Sequence, residues 1–205
     1  MSLNVNKIFY SIQGEGGRAG EASIFIRLSG CNMNCSFCDT DYAFGSDMSL
    51  LEIYEQIKQY PCQWIVWTGG EPTLQLTSPI LRFFAEKKYR QAIETNGSCR
   101  IPAGLDYIAC SPKVPVSILW ENWRRSPYSK FDEFRFIYTD SFHENYFSKK
   151  NEIPPADRFY VSPVFIGKTH DNIDRDNLEA CVDFIKSTHG QWRLSMQQHK
   201  IWRIE

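Results

Sequence analysis

From Ala22 onward, short apolar runs of strand character alternate with segments of helical period, and this alternation constrains the fold more than any single residue does. Ala22–Ser29 (ASIFIRLS) is β-branched and aromatic, as a buried strand requires. Ser49–Tyr60 then places Leu50, Ile53, Tyr54 and Ile57 on one helical face, and Ser49 with Glu52 has the form of a capping box. Gln63–Thr68 predicts a strand and Thr77–Lys88 a helix capped by Thr77 or Ser78. Strands are predicted at Gln91–Thr95, Asp106–Cys110, Glu133–Tyr138 and Phe159–Val161. A helix over Asp174–His189 is stopped by Gly190, and a strand at Trp192–Met196 ends the pattern. Pro112–Ser129, with three prolines and no clear helical face, is where a crossover helix is expected to be lost. The expected fold is therefore α/β with a mainly parallel sheet, either an open twisted sheet or a partial barrel. At 205 residues the chain suits one domain, 1–205, with a full core.

Polar or glycine-rich motifs follow the carboxyl ends of the predicted strands, at Gly30–Thr40, Thr68–Pro72, Glu94–Gly97, Ser111–Lys113, Ser162–Pro163 and Gln197–Lys200. Loops are polar in general, but in parallel α/β folds this edge holds the site. A net charge of −1 gives no global basic field for nucleic acid, so no direct nucleic-acid partner is expected. No run of about 18 apolar residues is present to span a membrane as a helix. The first residues lack a signal-peptide pattern, and seven cysteines without one suit a reducing compartment, so a cytoplasmic location is expected.

Cys31, Cys35 and Cys38 stand in C-x3-C-x2-C spacing. Three thiolates can hold three corners of a four-iron cluster and leave one iron open to a small molecule. Two other readings stand beside this one: buried small apolar residues, which the polar neighbours Asn32, Asn34, Ser36 and Asp39 disfavour, and zinc with a fourth ligand from elsewhere. Cys62, Cys99, Cys110 and Cys181 form no second cysteine pair and read as core or incidental residues. His143, His170 and His189 read as surface residues, and His199 lies at a strand end near the site. A second motif, Thr68-Gly69-Gly70-Glu71-Pro72, follows a strand directly, and glycines there let backbone approach a ligand closely and offer its N–H groups.

Together these two motifs resemble the radical S-adenosylmethionine superfamily. Further segments resemble the 7-carboxy-7-deazaguanine synthase family within it: Ser11-Ile12-Gln13-Gly14-Glu15-Gly16, Arg27–Asn32, Cys38-Asp39-Thr40, Glu94–Gly97, Ser111-Pro112-Lys113 and Arg193–Lys200. The resemblance implies an incomplete (β/α) barrel of the radical SAM type with reduced helical complement, and a lyase acting on 6-carboxy-5,6,7,8-tetrahydropterin, with a 4Fe-4S cluster on Cys31, Cys35 and Cys38 and magnesium at Thr40. It implies S-adenosylmethionine bound by Phe37, Cys38, Asp39, Gly69, Gly70, Glu71, Gly97, Ser111, Pro112, Lys113 and Ser162. It implies substrate held by Ile12, Gln13, Gly14, Glu15, Arg27, Thr95, Gln197, His199 and Glu205. A flavodoxin- or ferredoxin-type electron donor and a homodimer are implied as well. Arg27 suits a carboxylate, since its guanidinium offers a fork of donors, and it shares a strand face with Phe25 and Ser29. The chain has Ser162-Pro163 where related enzymes often have Gln-Pro, and it ends Arg203-Ile204-Glu205 where they often end near Gly-x-Pro. An activase that makes a glycyl radical on a partner protein would share the cluster and the GGE turn without a pterin pocket, and a zinc or iron–sulfur binding module is the non-enzymatic alternative.

Overall fold

The computed structural model describes residues 1–35, 38, 40–147, 152–166 and 172–204, with the side chains of 141, 143 and 144 outside that description. Nine strands form one sheet: β1 (Ser2–Ile12), β2 (Ala22–Leu28), β3 (Ser46–Ser49), β4 (Trp64–Gly69), β5 (Arg90–Thr95), β6 (Tyr107–Cys110), β7 (Phe131–Ile137), β8 (Ala156–Ser162) and β11 (Arg193–Leu194). A separate pair joins β9 (Phe165–Ile166) to β10 (Asn172–Ile173). From β2 through β4, β5, β6, β7 and β8 to β11 the order advances one way with every pairing parallel, while β1 pairs antiparallel with β2 on one side and β3 on the other. Right-handed crossovers that advance one way put the crossover helices on the same face of the sheet. The other face is left for a ligand, and the sheet stays open, with β3 and β11 as its edges.

The two faces are visible in the packing. Ile24, Ile26, Leu28, Ile65, Trp67 and Ile93 point to the helices and join Ile53 and Ile57 of α1 (Leu50–Ile57) and Leu81 and Phe84 of α2 (Ser78–Glu86) in the main core. Each such side chain taken fully from water contributes about 1.5–3 kcal/mol. The alternate residues Phe25, Val66 and Ala92 form a second, smaller cluster with Phe9, Trp64 and Tyr107 on the inner face. Ser49 caps α1 with the predicted capping box, Glu52 answering the Ser49 N–H. Asp174 caps α5 (Arg175–Ser187) through the Asn177 N–H, and Gly190 takes positive φ beyond its end.

One expectation is corrected. The stretch after Pro112 does hold a helix, α3 (Val116–Arg124). Pro115 sits at its N-cap, where a missing N–H costs nothing, and Val116, Leu119 and Trp123 supply the apolar face. The crossover without a helix is one step earlier, between β5 and β6. A short helical segment, α4 (Asp140–Phe142), follows β7. β1 and β3 are additions to the expected strands. In β1 a register shift between Val5 and Lys7 breaks the alternation that marks a strand: Leu3 and Val5 face the helices, but Phe9 faces inward.

Candidate active site

The cysteine loop leaves the end of β2, and the Gly-Gly turn leaves the end of β4 beside it. The two are joined by backbone. The Gly70 N–H donates to the Leu28 carbonyl and the Glu71 N–H to the Gly30 carbonyl, each at 3.0 Å. A Cβ on Gly70 would lie 1.8 Å from the Gly30 carbonyl oxygen, and one on Gly69, whose φ is +129°, would strike the Leu28 backbone. Both glycines are thus required by this close approach between two strand ends. The N–H groups of Gly70 and Glu71, expected to be free for a ligand, are engaged in it; the carbonyl oxygens are what this turn can offer to an ammonium.

Glu71 fastens the next strand end. Its buried carboxylate accepts from the Thr73 N–H, the Thr73 hydroxyl, the Thr95 hydroxyl at 2.8 Å and the Asn96 N–H at 2.7 Å. Burial outweighs these donors and pushes its carboxyl pKa up. From there the Ser111 N–H reaches the Thr95 carbonyl, the Lys113 N–H reaches the Asn96 carbonyl, and Asn32 of the cysteine loop bonds to Asn96 and Ser98. The motifs after β2, β4, β5 and β6 therefore form one continuous rim.

Inside that rim, the inner sheet face becomes polar. Arg27 pairs in register with Thr68, and the Thr68 hydroxyl donates to Glu94 at 3.0 Å. Arg27 donates to the Thr40 hydroxyl at 2.9 Å and lies over the Phe9 ring. Glu94 also accepts from the Gln13 amide at 3.0 Å and from Arg135 of β7 at 2.8 Å. Arg135 bonds Glu133 and stands 3.6 Å from Glu15. Burial pushes Glu94 up, but Arg135 beside it prevails and holds the carboxyl below the usual range.

The open side between the sheet edges is covered by the loop after β1 and by α6 (Gln198–Trp202). The Gln198 N–H donates to the Gly14 carbonyl, the Gln197 amide donates to Glu15 at 2.8 Å, and the Gly16 N–H donates to the Ser195 hydroxyl. A Cβ on Gly14 would collide with His199.

A match to the radical SAM superfamily covers residues 25–118, from the strand before the cysteines to the start of α3. The 7-carboxy-7-deazaguanine synthase of Bacteroides thetaiotaomicron is 35% identical over 98% of both chains. That of Haemophilus influenzae is 34% identical over 100% of this chain and 95% of its own, and that of Nitratidesulfovibrio vulgaris is 37% identical over 98% of both. The chain belongs to the 7-carboxy-7-deazaguanine synthase family. The crystal structure of QueE from Escherichia coli has the same fold, with a TM-score of 0.73 at 20% identity over 96% of this chain and 94% of that one.

Membership of the radical SAM superfamily implies a four-iron cluster and S-adenosylmethionine, and the donor chemistry of this synthase family member fits both. Cys31, Cys35 and Cys38 are unpaired thiols on one loop, and a turn closes from the Cys38 N–H to the Cys35 carbonyl at 3.1 Å. Burial raises the Cys31 thiol pKa, and Glu71, Cys35 and Cys38 add to the rise as neighbouring negative charges. Lys113 faces the same group: burial lowers its pKa while Cys35, Cys38 and Glu15 oppose the fall. Among the described residues no three His, Cys, Asp or Glu side chains already converge on a metal position. The chain therefore presents the thiols as a loop.

Of the residues expected to bind cofactor or substrate, the fold gathers Gly69, Gly70, Glu71, Gly97, Ser111, Pro112 and Lys113 on the rim. Gln13, Gly14, Glu15, Gln197 and His199 lie across it, with Arg27 and Thr40 between. Ile12 is the last, partly exposed residue of β1, and Ser162 is buried at the end of β8. Thr95 is placed differently from the expectation: it is buried, and its hydroxyl is bound to Glu71 on the helical side of the rim. The inward residue at that strand end is Glu94. Phe37, Asp39 and Glu205 lie outside the described residues, as does His170. Sequence reasoning placed Thr68 and Glu94 within strand-end motifs without giving either a role, and it missed Glu133 and Arg135 on the same inner face. The available signal was strand alternation, since polar residues at every second position inside aromatic strands, as in Glu133-Phe134-Arg135-Phe136, mark an inner polar face.

Proposed function

We propose that the chain converts 6-carboxy-5,6,7,8-tetrahydropterin to 7-carboxy-7-deazaguanine with loss of ammonia, as a radical S-adenosylmethionine lyase in 7-deazapurine (queuosine) biosynthesis. Full-length similarity to curated synthases supports the assignment. The observation that carries it in this chain is the inner row of Arg27, Thr68 and Glu94, opening directly beneath the junction of the cysteine loop and the Gly-Gly turn.

Cys31, Cys35 and Cys38 would hold the cluster, and the Gly69–Gly70 carbonyls with the Ser111–Lys113 segment would hold S-adenosylmethionine. These groups, when bound, supply the reducing electron and the hydrogen-abstracting power. The remaining work belongs to side chains. Arg27 offers its fork to the substrate carboxylate. Gln13, Glu15, Thr68 and Glu94 offer acceptors and donors to the pterin edge, and the loop after β1 together with α6 excludes water. Magnesium at Thr40 fits as a site that the substrate completes. The residue offers a hydroxyl oxygen beside Arg27, and magnesium takes oxygen ligands while keeping several waters. A flavodoxin- or ferredoxin-type donor, a homodimer and a cytoplasmic setting belong to the same reading, and no helix among the described residues is long and apolar enough to cross a membrane.

The test is anaerobic incubation of reconstituted protein with the carboxypterin, S-adenosylmethionine, magnesium and reductant, followed by product mass. Formation of 7-carboxy-7-deazaguanine is expected. Reductive cleavage of S-adenosylmethionine that ignores the carboxypterin overturns the assignment.

A further inference from the structure

Arg135 is a buried charge that the proposed chemistry does not use. It leaves the middle of β7 between Phe134 and Phe136, both turned to the helices, and its guanidinium enters the inner face. Its side chain is 7% exposed. Three carboxylates converge on it. Nε bonds Glu133, Nη1 bonds Glu94 at 2.8 Å, and Nη1 stands 3.6 Å from Glu15. Ala109 on the intervening strand β6 is small enough to let the arginine reach across to β5.

The three partners differ in a way that separates scaffold from site. Glu133 is fully enclosed, and its other donors are structural: the Gly17 N–H at 2.7 Å and the Tyr107 hydroxyl at 2.8 Å. Glu94 and Glu15 keep side-chain exposures of 29% and 19%, and both belong to the strand-end surface that the substrate would meet. The cluster thus leaves side-chain surface open on Glu15 and Glu94, and Glu94 is bonded to Thr68 and Gln13.

We propose that Arg135 is a positioning residue that keeps Glu15 and Glu94 turned toward the site, so that together they accept hydrogen bonds from the donor edge of the substrate heterocycle. The inference rests on the carboxypterin reading above and deepens it: the ligand recognised must carry adjacent N–H donors, as the aminopyrimidine half of a pterin does. Without the guanidinium, burial would push the Glu94 carboxyl up toward the protonated form and turn it from acceptor to donor. Arg135 prevents that, bonding Glu94 directly and facing Glu15 as a counter-charge at 3.6 Å. The charged and titratable groups facing the cluster are Tyr107 from β6, Arg158 from β8, Lys113 beyond Glu15 and His199 of α6 against Gly14. All remain in place when only Arg135 is changed.

The test is equilibrium binding of 6-carboxy-5,6,7,8-tetrahydropterin to reconstituted protein without S-adenosylmethionine, so that no turnover occurs, from pH 6.5 to 8.5. Wild type sets the reference profile, and its failure to bind at any pH overturns the functional reading itself. Arg135→Gln is expected to lose at least tenfold in affinity at the acid end and to regain much of it as pH rises. The Glu94 carboxyl pKa, raised by loss of the guanidinium, is then passed and that acceptor recharges. Glu94→Gln, with nothing left to ionise, is expected to lose affinity at every pH without recovery. Arg135→Lys keeps the charge but not the fork, should fall between wild type and Arg135→Gln, and carries the test if Arg135→Gln does not fold. A loss in the Arg135 variants that is the same at all pH values marks a merely structural role and overturns the proposal, as does wild-type affinity at pH 6.5.

Discussion

Gly70→Ala probes the backbone junction on which both cofactor-binding segments depend. The new Cβ would stand 1.8 Å from the Gly30 oxygen, 2.4 Å from the Gly30 carbonyl carbon and 3.0 Å from the Cys31 nitrogen, where ordinary contact begins near 3.4 Å. The Gly-Gly turn and the root of the cysteine loop must therefore part by about 1.6 Å, the difference between 3.4 and 1.8 Å. Such a shift takes the two 3.0 Å bonds across the junction out of bonding range. Two neutral hydrogen bonds at roughly 0.5–1.5 kcal/mol each make a loss of about 1–3 kcal/mol. At roughly 2–4 °C per kcal/mol for a chain of this size, the melting temperature should fall by about 2–12 °C. Iron retained after anaerobic reconstitution and affinity for S-adenosylmethionine should fall with it, because the Cys31 backbone moves. Gly30→Ala is the matched control. Gly30 has φ +82°, and a Cβ there would meet nothing within 4 Å, so alanine strains only its own backbone, by about 1–2 kcal/mol, and leaves the junction intact. Melting should then drop while S-adenosylmethionine affinity holds. Wild-type melting, iron content and affinity in Gly70→Ala would refute the argument.

Cys31→Ala, Cys35→Ala and Cys38→Ala should each abolish cluster retention and deoxyadenosine formation, measured by iron assay and chromatography. Cys181→Ala, deep in the helical core, should lower melting but keep iron. Arg27→Lys should weaken carboxypterin binding by roughly 1.5–3 kcal/mol, about tenfold to a hundredfold, with S-adenosylmethionine affinity unchanged in calorimetry; equal weakening of both ligands would place Arg27 elsewhere. Thr40→Val should blunt the response of turnover to added magnesium and release Arg27 from its 2.9 Å bond, with Thr40→Ser recovering part of the response. An unchanged magnesium titration in the valine variant would make Thr40 a turn residue only.

The rim of the site was legible because its residues act locally. C-x3-C-x2-C, Thr68–Pro72 and Ser111–Lys113 each sit at a strand end, and strand ends announce themselves by the change from apolar to polar. The capping box at Ser49 and the stop at Gly190 were equally local. What could not be seen was set by tertiary contact. β1 hides its period behind a bulge at Val5–Lys7, and α3 hides behind the prolines that precede it. Thr95 and Glu94 are adjacent in sequence, and only the register of β5 against its neighbours decides which one faces the ligand. Arg135 joins residues from β5, β7 and the loop after β1, a convergence that no linear spacing encodes.

The contacts between the Gln13–Gly16 loop and Ser195–His199 bring together two functional segments about 180 residues apart. During synthesis the cysteine loop, the Gly-Gly turn and the strands between them are complete and can leave the ribosome well before α6 exists. The cofactor-binding half of the molecule can thus mature first, while the wall enclosing the substrate closes only when α6 arrives. A nascent chain, or one clipped ahead of Ser195, would then be able to take up iron yet be unable to shut its pocket, which makes the Ser195–Trp202 stretch a checkpoint on when reactive chemistry can begin.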